Sequence, residues 1–373
     1  MFALTHIYKR LFIGSALLLT GIGIVFIYSA SAYWSSVRYE GQTPFYIKQV
    51  IYFVLALLVF LVISKSKGFV QDKWWLLLYI VTILLLIAVL IPGIGIWRNG
   101  SRSWIGIGPF TFQPAELVKI STLVYLSIIL AKWKRGERII QLRHFIILLL
   151  PVALIMLQPD FGSAFILIVT AFLLLFIANY PMKFYAICIM AGIGGLTALI
   201  ISAPYRLKRI NAFLDPWEDP LGSGFQAVQS LLAIGPAGIF GHGFLKSRQK
   251  YLYLPEPQND FIFSIILEEM GFIGGIILVC IFACFLYSGY KLAASALYVK
   301  HFYIICALTS MIAVQAALNI GVVIGLLPVT GVTLPFISYG GTSLMILWLT
   351  VGIIYLFAND QTTEGRSKNG KSH

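Results

Sequence analysis

Charge is what this chain has least of: only 11% of its 373 residues are Asp, Glu, Lys or Arg, and just 14 are acidic. Soluble domains carry about 25% charged and roughly 45–50% apolar residues. At 59% hydrophobic, this chain cannot clothe itself in polar surface, which excludes a water-soluble globule. Cysteine is scarce as well. Cys188, Cys280, Cys284 and Cys306 all fall inside apolar runs, so neither a disulfide framework nor a zinc cage has the surroundings it needs. Walker loop and dinucleotide fingerprint are missing, and Gly93-Ile94-Gly95 sits in a loop without the strand and helix such a fingerprint requires. The formal charge of +13 does not indicate nucleic acid, because the basic residues lie between apolar runs in the pattern of a membrane protein.

Those runs dominate the chain. A hydrocarbon core about 30 Å thick takes about 20 apolar residues of helix, and ten candidates are found, at 11–33, 45–63, 74–93, 113–131, 144–158, 161–179, 183–203, 261–289, 302–326 and 338–357. The expected fold is therefore all-α: a polytopic membrane protein forming one membrane domain over 1–359, with a short basic tail over 360–373 near anionic lipid. The fifth and sixth runs are separated only by Gln158-Pro159-Asp160 and would merge into a nine-span count. Ten spans put 16 of the 27 Lys and Arg on one side, so the positive-inside rule places both termini in the cytoplasm. Ala30-Ser31-Ala32 resembles a signal-peptidase site, but the run before it is longer than a signal core, and an uncleaved first helix is expected.

Residues 203–260 form a long connection between the seventh and eighth spans, expected on the outer face. Loops longer than about 12–15 residues are usually functional or disordered, and this one is not low-complexity. It carries Trp217, an amphipathic stretch around Gln226–Leu232, and Arg206, Lys208, Arg209, Arg248 and Lys250. Ionisable groups at membrane depth cost at least about 2.5–3.5 kcal/mol, so each is a functional candidate. Glu116 and Lys119 share a helix face at i and i+3. They either neutralise each other or present a cation to an anionic head group. Asp160 reads as a helix cap. Of Glu268 and Glu269, one must point inward or pair, and no local cation is evident. Gln315 and Asn319 read as hydrogen-bonding glue between helices. Asp260, where the long connection enters the eighth span, is either an N-cap or a general base toward a sugar hydroxyl, with basic neighbours stabilising a departing pyrophosphate.

The segments Ser101-Arg102-Ser103-Trp104-Ile105, Gln113-Pro114-Ala115-Glu116-Leu117-Val118-Lys119, Gln158-Pro159-Asp160-Phe161-Gly162, Leu254-Pro255-Glu256 through Phe263, and Pro335 through Gly341 resemble, in order and spacing, those of the SEDS family (shape, elongation, division, sporulation). Thr330–Pro335 and Ser247–Tyr251 look closer to its FtsW and SpoVE branch than to RodA. The resemblance implies a ten-helix peptidoglycan glycosyltransferase of the bacterial cytoplasmic membrane that polymerises lipid II at the outer face and releases undecaprenyl pyrophosphate. It puts Asp260 on the family's essential aspartate, as general base, and Glu116 and Lys119 in the donor cavity. Arg102, Trp104, Asp160, Arg248, Lys250, Glu256 and Ser338 are expected on the substrate-binding side. A class B penicillin-binding protein is the implied partner, and a divalent cation, Mg2+ or Mn2+, is compatible with the pyrophosphate chemistry.

One element departs from the family pattern. Gly241-His242-Gly243-Phe244-Leu245-Lys246 reads Phe-Leu-Lys where relatives carry Leu-Gly and a polar residue, and loss of that glycine restricts the turn. Two other classes of function fit the same residues. A lipid-linked-sugar flippase would line its path with Glu116 and Lys119; a non-catalytic scaffold would use Asp260 only as a cap.

Overall fold

A computed structural model describes residues 2–38, 44–98, 101–107, 110–136, 142–201, 213–251 and 253–369. Ten long helices account for most of them: α1 Phe2–Arg38, α2 Phe45–Lys65, α3 Asp72–Leu90, α4 Pro114–Lys134, α5 Leu142–Met156, α6 Phe161–Ile177, α7 Met182–Ile201, α9 Ile262–Ala294, α10 Val299–Val323 and α11 Gly341–Asn369, with a short α8, Phe225–Ile234, in the long connection. Among the described residues seven of these helices are long and apolar enough to cross a membrane, and α5 and α6 are shorter apolar helices. At 15 and 17 residues the last two reach only ~22–26 Å. They remain separate helices.

The helices are apolar on every side, the signature of a span facing lipid outside and protein inside. Val62 and Leu84, for example, are 64% and 59% exposed, which suits hydrocarbon and not water. α4 and α10 are the exceptions, both buried over most of their length. α4 packs against α3, α5, α6 and α10, and it begins with Pro114 at its first turn, where the missing N–H costs nothing. Around this central helix, α1 lies along α9 and α2 along α11.

The structure corrects the all-α expectation in one place. Between α3 and α4 the chain forms an antiparallel sheet in the order β1 Gly95–Arg98, β2 Ser101–Ile107, β3 Phe110–Phe112. Gly95 pairs with Ile105, and a bulge falls between Ile96 and Trp97. A Cβ at Gly95 would stand 2.0 Å from the Val89 carbonyl, so only glycine lets the hairpin fold back onto α3. The signal was in the sequence: Asn99-Gly100 separates two runs rich in Ile and Trp, the strongest short hairpin cue.

A second departure lies inside α9. At Gly271 the backbone leaves helical geometry (φ 66, ψ −165), so ~2.5 turns, Ile262–Met270, form a half-helix ahead of the remainder. The carbonyls of Glu268 and Glu269 are freed there and accept the N–H groups of His242 and Gly243, while Phe272 and Ile273 N–H groups donate to Gly238 and Ile239. The two backbones are so close that a Cβ at Gly271 would meet the Gly241 nitrogen at 2.3 Å. Non-helical backbone at membrane depth is tolerated only where protein re-satisfies it, and residues 238–243 do so here.

Candidate active site

Asp260 stands one residue ahead of the N-cap of the half-helix. Phe261 occupies the cap position and makes no side-chain cap bond, so the capping alternative for Asp260 does not hold. No described residue donates a hydrogen bond to its carboxylate or pairs with it. The main chain, by contrast, is firmly held. Asn319 Nδ2 in α10 donates at 2.7 Å both to the Asp260 carbonyl and to the Val332 carbonyl. Gly331, at φ +71, faces the carboxylate, and a Cβ there would lie 3.7 Å from Oδ2. Burial pushes the Asp260 carboxyl from 3.8 up to about 6, and the Glu256 carboxylate adds to the shift. Glu256 sits at φ 43, a region sparsely populated by residues with a Cβ, and accepts from Asn259 Nδ2 at 2.6 Å.

The connection between α10 and α11 joins this carboxylate to a second polar group. Gln315 donates to the Thr333 carbonyl at 3.1 Å. Gln315 and Asn319 thus hold loop carbonyls; their expected partners were other helices. Farther along, Ser338 accepts the Leu334 N–H at 2.8 Å and lines a cleft together with Glu116, Gln315, Thr333 and Pro335. Glu116 forms the other wall. Its Oε1 is 2.8 Å from Lys119 Nζ, the lysine side chain being 1% exposed and the glutamate 17%. The pair therefore is self-neutralised, and its acidic member is the one that reaches the cleft.

Asp160 caps α6 as expected, accepting from the Ser163 N–H at 3.0 Å. It also takes a hydrogen bond from Gln113 at the start of α4. Burial raises its carboxyl above the usual range, opposed by the Ser163 bonds and by Lys119. The cap of α6 and the Glu116–Lys119 pair are thus neighbours. Gly162 follows, so close to the Thr330–Val332 segment that a Cβ would meet the Val332 side chain at 2.4 Å.

Lys250 requires a correction. It was expected to face a phosphate, yet its side chain is 5% exposed and its Nζ lies 3.0 Å from Glu269 Oε1. Glu269 also accepts from Ser29 of α1 at 2.7 Å and from the Ser247 N–H at 3.3 Å, while Glu268 accepts from the Ser247 hydroxyl and the Arg248 N–H. Both glutamates are spent on clamping the long connection to α9, and Lys250 is the missing cation. A bare carboxylate in the interior would be prohibitive, which explains why the loop brings a lysine to it. Arg248, next to it, keeps an exposed side chain. Arg206, Lys208 and Arg209 lie outside the described residues.

Arg102 and Trp104 lie in β2. The Arg102 guanidinium stacks over the Trp97 ring at 5.4 Å and donates to the Leu90 carbonyl at 3.5 Å. Thr342, at the start of α11, donates to the Thr111 carbonyl of β3 at 2.9 Å, so the sheet abuts the loop that carries Ser338. Among the described residues no three His, Cys, Asp or Glu side chains converge to hold a metal ion. A divalent cation would have to take most of its ligands from substrate oxygens and water, as Mg2+ often does.

The fold and this polar cluster define a polytopic helical membrane protein in which Asp260, its carboxyl unpaired among the described residues, stands against the α10–α11 connection that lines an interhelical cleft. The family described as "Cell cycle protein" (FTSW_RODA_SPOVE) matches residues 9–363, and the chain belongs to it, on the FtsW/SpoVE side. Stage V sporulation protein E of Bacillus subtilis is 41% identical over 91% of this chain and 93% of its own. A probable peptidoglycan glycosyltransferase FtsW of Saccharophagus degradans is 39% identical over 94% and 92%. Among solved structures, a chain from work on the structural coordination of polymerization and crosslinking by a peptidoglycan synthase complex superposes with a TM-score of 0.77 at 28% identity, over 94% of this chain and 97% of that one. The rod shape determining protein RodA of Thermus thermophilus superposes at 0.68 with 26% identity, over 94% and 96%.

Proposed function

We propose that this chain is a peptidoglycan glycosyltransferase that polymerises lipid II, with Asp260 as general base, in wall synthesis for cell division or sporulation. The 4-hydroxyl of an acceptor N-acetylglucosamine attacks the anomeric carbon of the donor N-acetylmuramic acid. Asp260 takes the hydroxyl proton as the new C–O bond forms, and the bond to phosphate breaks to release undecaprenyl pyrophosphate. The observation that carries this reading is a carboxyl with no partner among the described residues, raised to about 6. A base poised near the working pH combines the right protonation state with enough proton affinity. Arg248 and Arg102 supply positive charge for the leaving pyrophosphate, and Glu116, Lys119, Asp160 and Ser338 shape the cleft for the donor. Lys250 acts only through the loop it anchors.

The topology that accompanies this mechanism has ten spans, both termini in the cytoplasm and Asp260 on the extracytoplasmic side, in a bacterial cytoplasmic membrane. The transpeptidase partner is a class B penicillin-binding protein, a reading supported by the likeness to a chain of a peptidoglycan synthase complex. The test is polymerisation of purified lipid II by the protein with its partner. Asp260→Asn is expected to abolish product while elution profile and partner binding stay as in the parent. Polymer from that variant would remove Asp260 as base. Transport of labelled lipid across vesicles at a rate indifferent to Asp260 would instead favour a flippase.

A further inference from the structure

A groove separate from the cleft opens between α1 and the second part of α9. It has a volume of about 460 Å3 and is lined by Leu11, Gly14, Leu18, Ile277 and Cys284, with Arg10 at one end. That volume falls within the ~300–1,000 Å3 of small-molecule pockets. Its one hydroxyl, on Ser15, is turned back onto the Leu11 carbonyl at 2.7 Å, so the wall is apolar.

Length and charge together say what fits. The lining runs from Arg10 to Leu18 on α1 and from Ile276 to Cys284 on α9, which at ~1.5 Å per residue is ~12 Å. A hydrocarbon core is ~30 Å thick, so the slot is less than one leaflet deep; a partner's spanning helix would need the full thickness. At its charged end Arg10 is exposed. Lys291, seven residues past Cys284 and so on the same helix face, is exposed too. Its Nζ stands 5.4 Å from the Tyr287 ring, which meets Tyr8 of α1 edge-on at 6.1 Å. Among the described residues no carboxylate pairs with either cation. Tyrosine and basic side chains at the mouth of an apolar slot suit an anionic head group at the membrane–water boundary.

We propose that the groove binds one anionic glycerophospholipid from the leaflet on the amino-terminal side, an acyl chain lying between α1 and α9 and the phosphate between Arg10 and Lys291. The experiment is native mass spectrometry of the full chain, released from micelles containing phosphatidylglycerol, phosphatidylethanolamine or phosphatidylcholine of identical acyl chains. One phosphatidylglycerol is expected to be retained in preference to the other two. Each near-surface cation contributes about a fivefold preference for anionic lipid, so Arg10→Gln and Lys291→Gln should each weaken retention by about that factor, and Lys73→Gln on α3 should not. Gly14→Leu projects into open space and fills the slot, so it should remove the bound lipid whatever its head group. Equal retention of phosphatidylethanolamine, indifference to both cation variants, an equal loss in Lys73→Gln, or lipid that persists in Gly14→Leu would each overturn the assignment.

Discussion

In the proposed mechanism, ionisation of Asp260 governs two measurable properties. A base must be unprotonated to act, so polymerisation should fall as pH drops through about 6. Glu256 is the smaller of the two causes of the upward shift, after burial. Glu256→Gln should therefore move the acid limb of the pH–rate profile to lower pH, and a limb that stays put would rule out the electrostatic coupling. The folded state binds this proton more tightly than the unfolded chain does, so the group's contribution to stability is full below about pH 4 and declines as pH rises to about 6. Asp260→Asn should accordingly melt no lower than the parent at pH 8. Leu245 offers a different lesson. It holds φ 65 and is 40% exposed, at the position where the sequence substitutes for a family glycine. Left-handed geometry costs an L-residue roughly 1–2 kcal/mol, and a glycine returns about 0.5–1 of it as backbone entropy. Leu245→Gly should raise the thermal transition slightly; a fall would show that the side chain packs usefully.

Among elements, the joint between α9 and the long connection is where sequence reasoning fell short. The apolar run over 261–289 reads as a continuous span because hydropathy does not register a single glycine, and the break at Gly271 depends on a backbone partner thirty residues upstream. A separation of 19 residues likewise hid the Lys250–Glu269 pair, for the glutamates showed no cation within a helical turn. Removing one member leaves the other charge buried, at about 3–5 kcal/mol. Lys250→Met and Glu269→Gln should each lower the thermal transition markedly, and the double variant should lose less than the sum. Strict additivity in that cycle would mean the two charges do not interact. What composition and spacing did make legible was the helices themselves, the separate α5 and α6, the α6 cap at Asp160 and the Glu116–Lys119 pair, all features decided within one turn of chain. The sheet between α3 and α4 was legible too, through Asn99-Gly100, but the weight of apolar runs on either side masked it.

For the whole molecule, the proposed topology, with most basic residues on the cytoplasmic side, is open to a direct check. Lys246 in the long connection and Lys134 at the end of α4 are both exposed, and the proposed topology puts them on opposite faces. Lys246→Cys in intact cells should react with a membrane-impermeant maleimide, and Lys134→Cys only after permeabilisation. The native Cys280 and Cys284 are exposed on the lipid-facing groove wall, where a charged reagent does not reach. The reverse labelling pattern would invert the molecule and with it the side on which Asp260 works.

The seam at Gly241 and Gly271 has a further implication for how the protein tolerates change. Because residues 238–243 complete the hydrogen bonding of a span to which they are not adjacent in sequence, that short piece is structurally part of α9 although it lies in the long connection. Insertions or grafts are expected to be absorbed upstream of it, around the exposed Leu214 to Leu221 stretch, and refused within it. A swap of this connection between family members would have to carry its matching half-helix along as a single cassette.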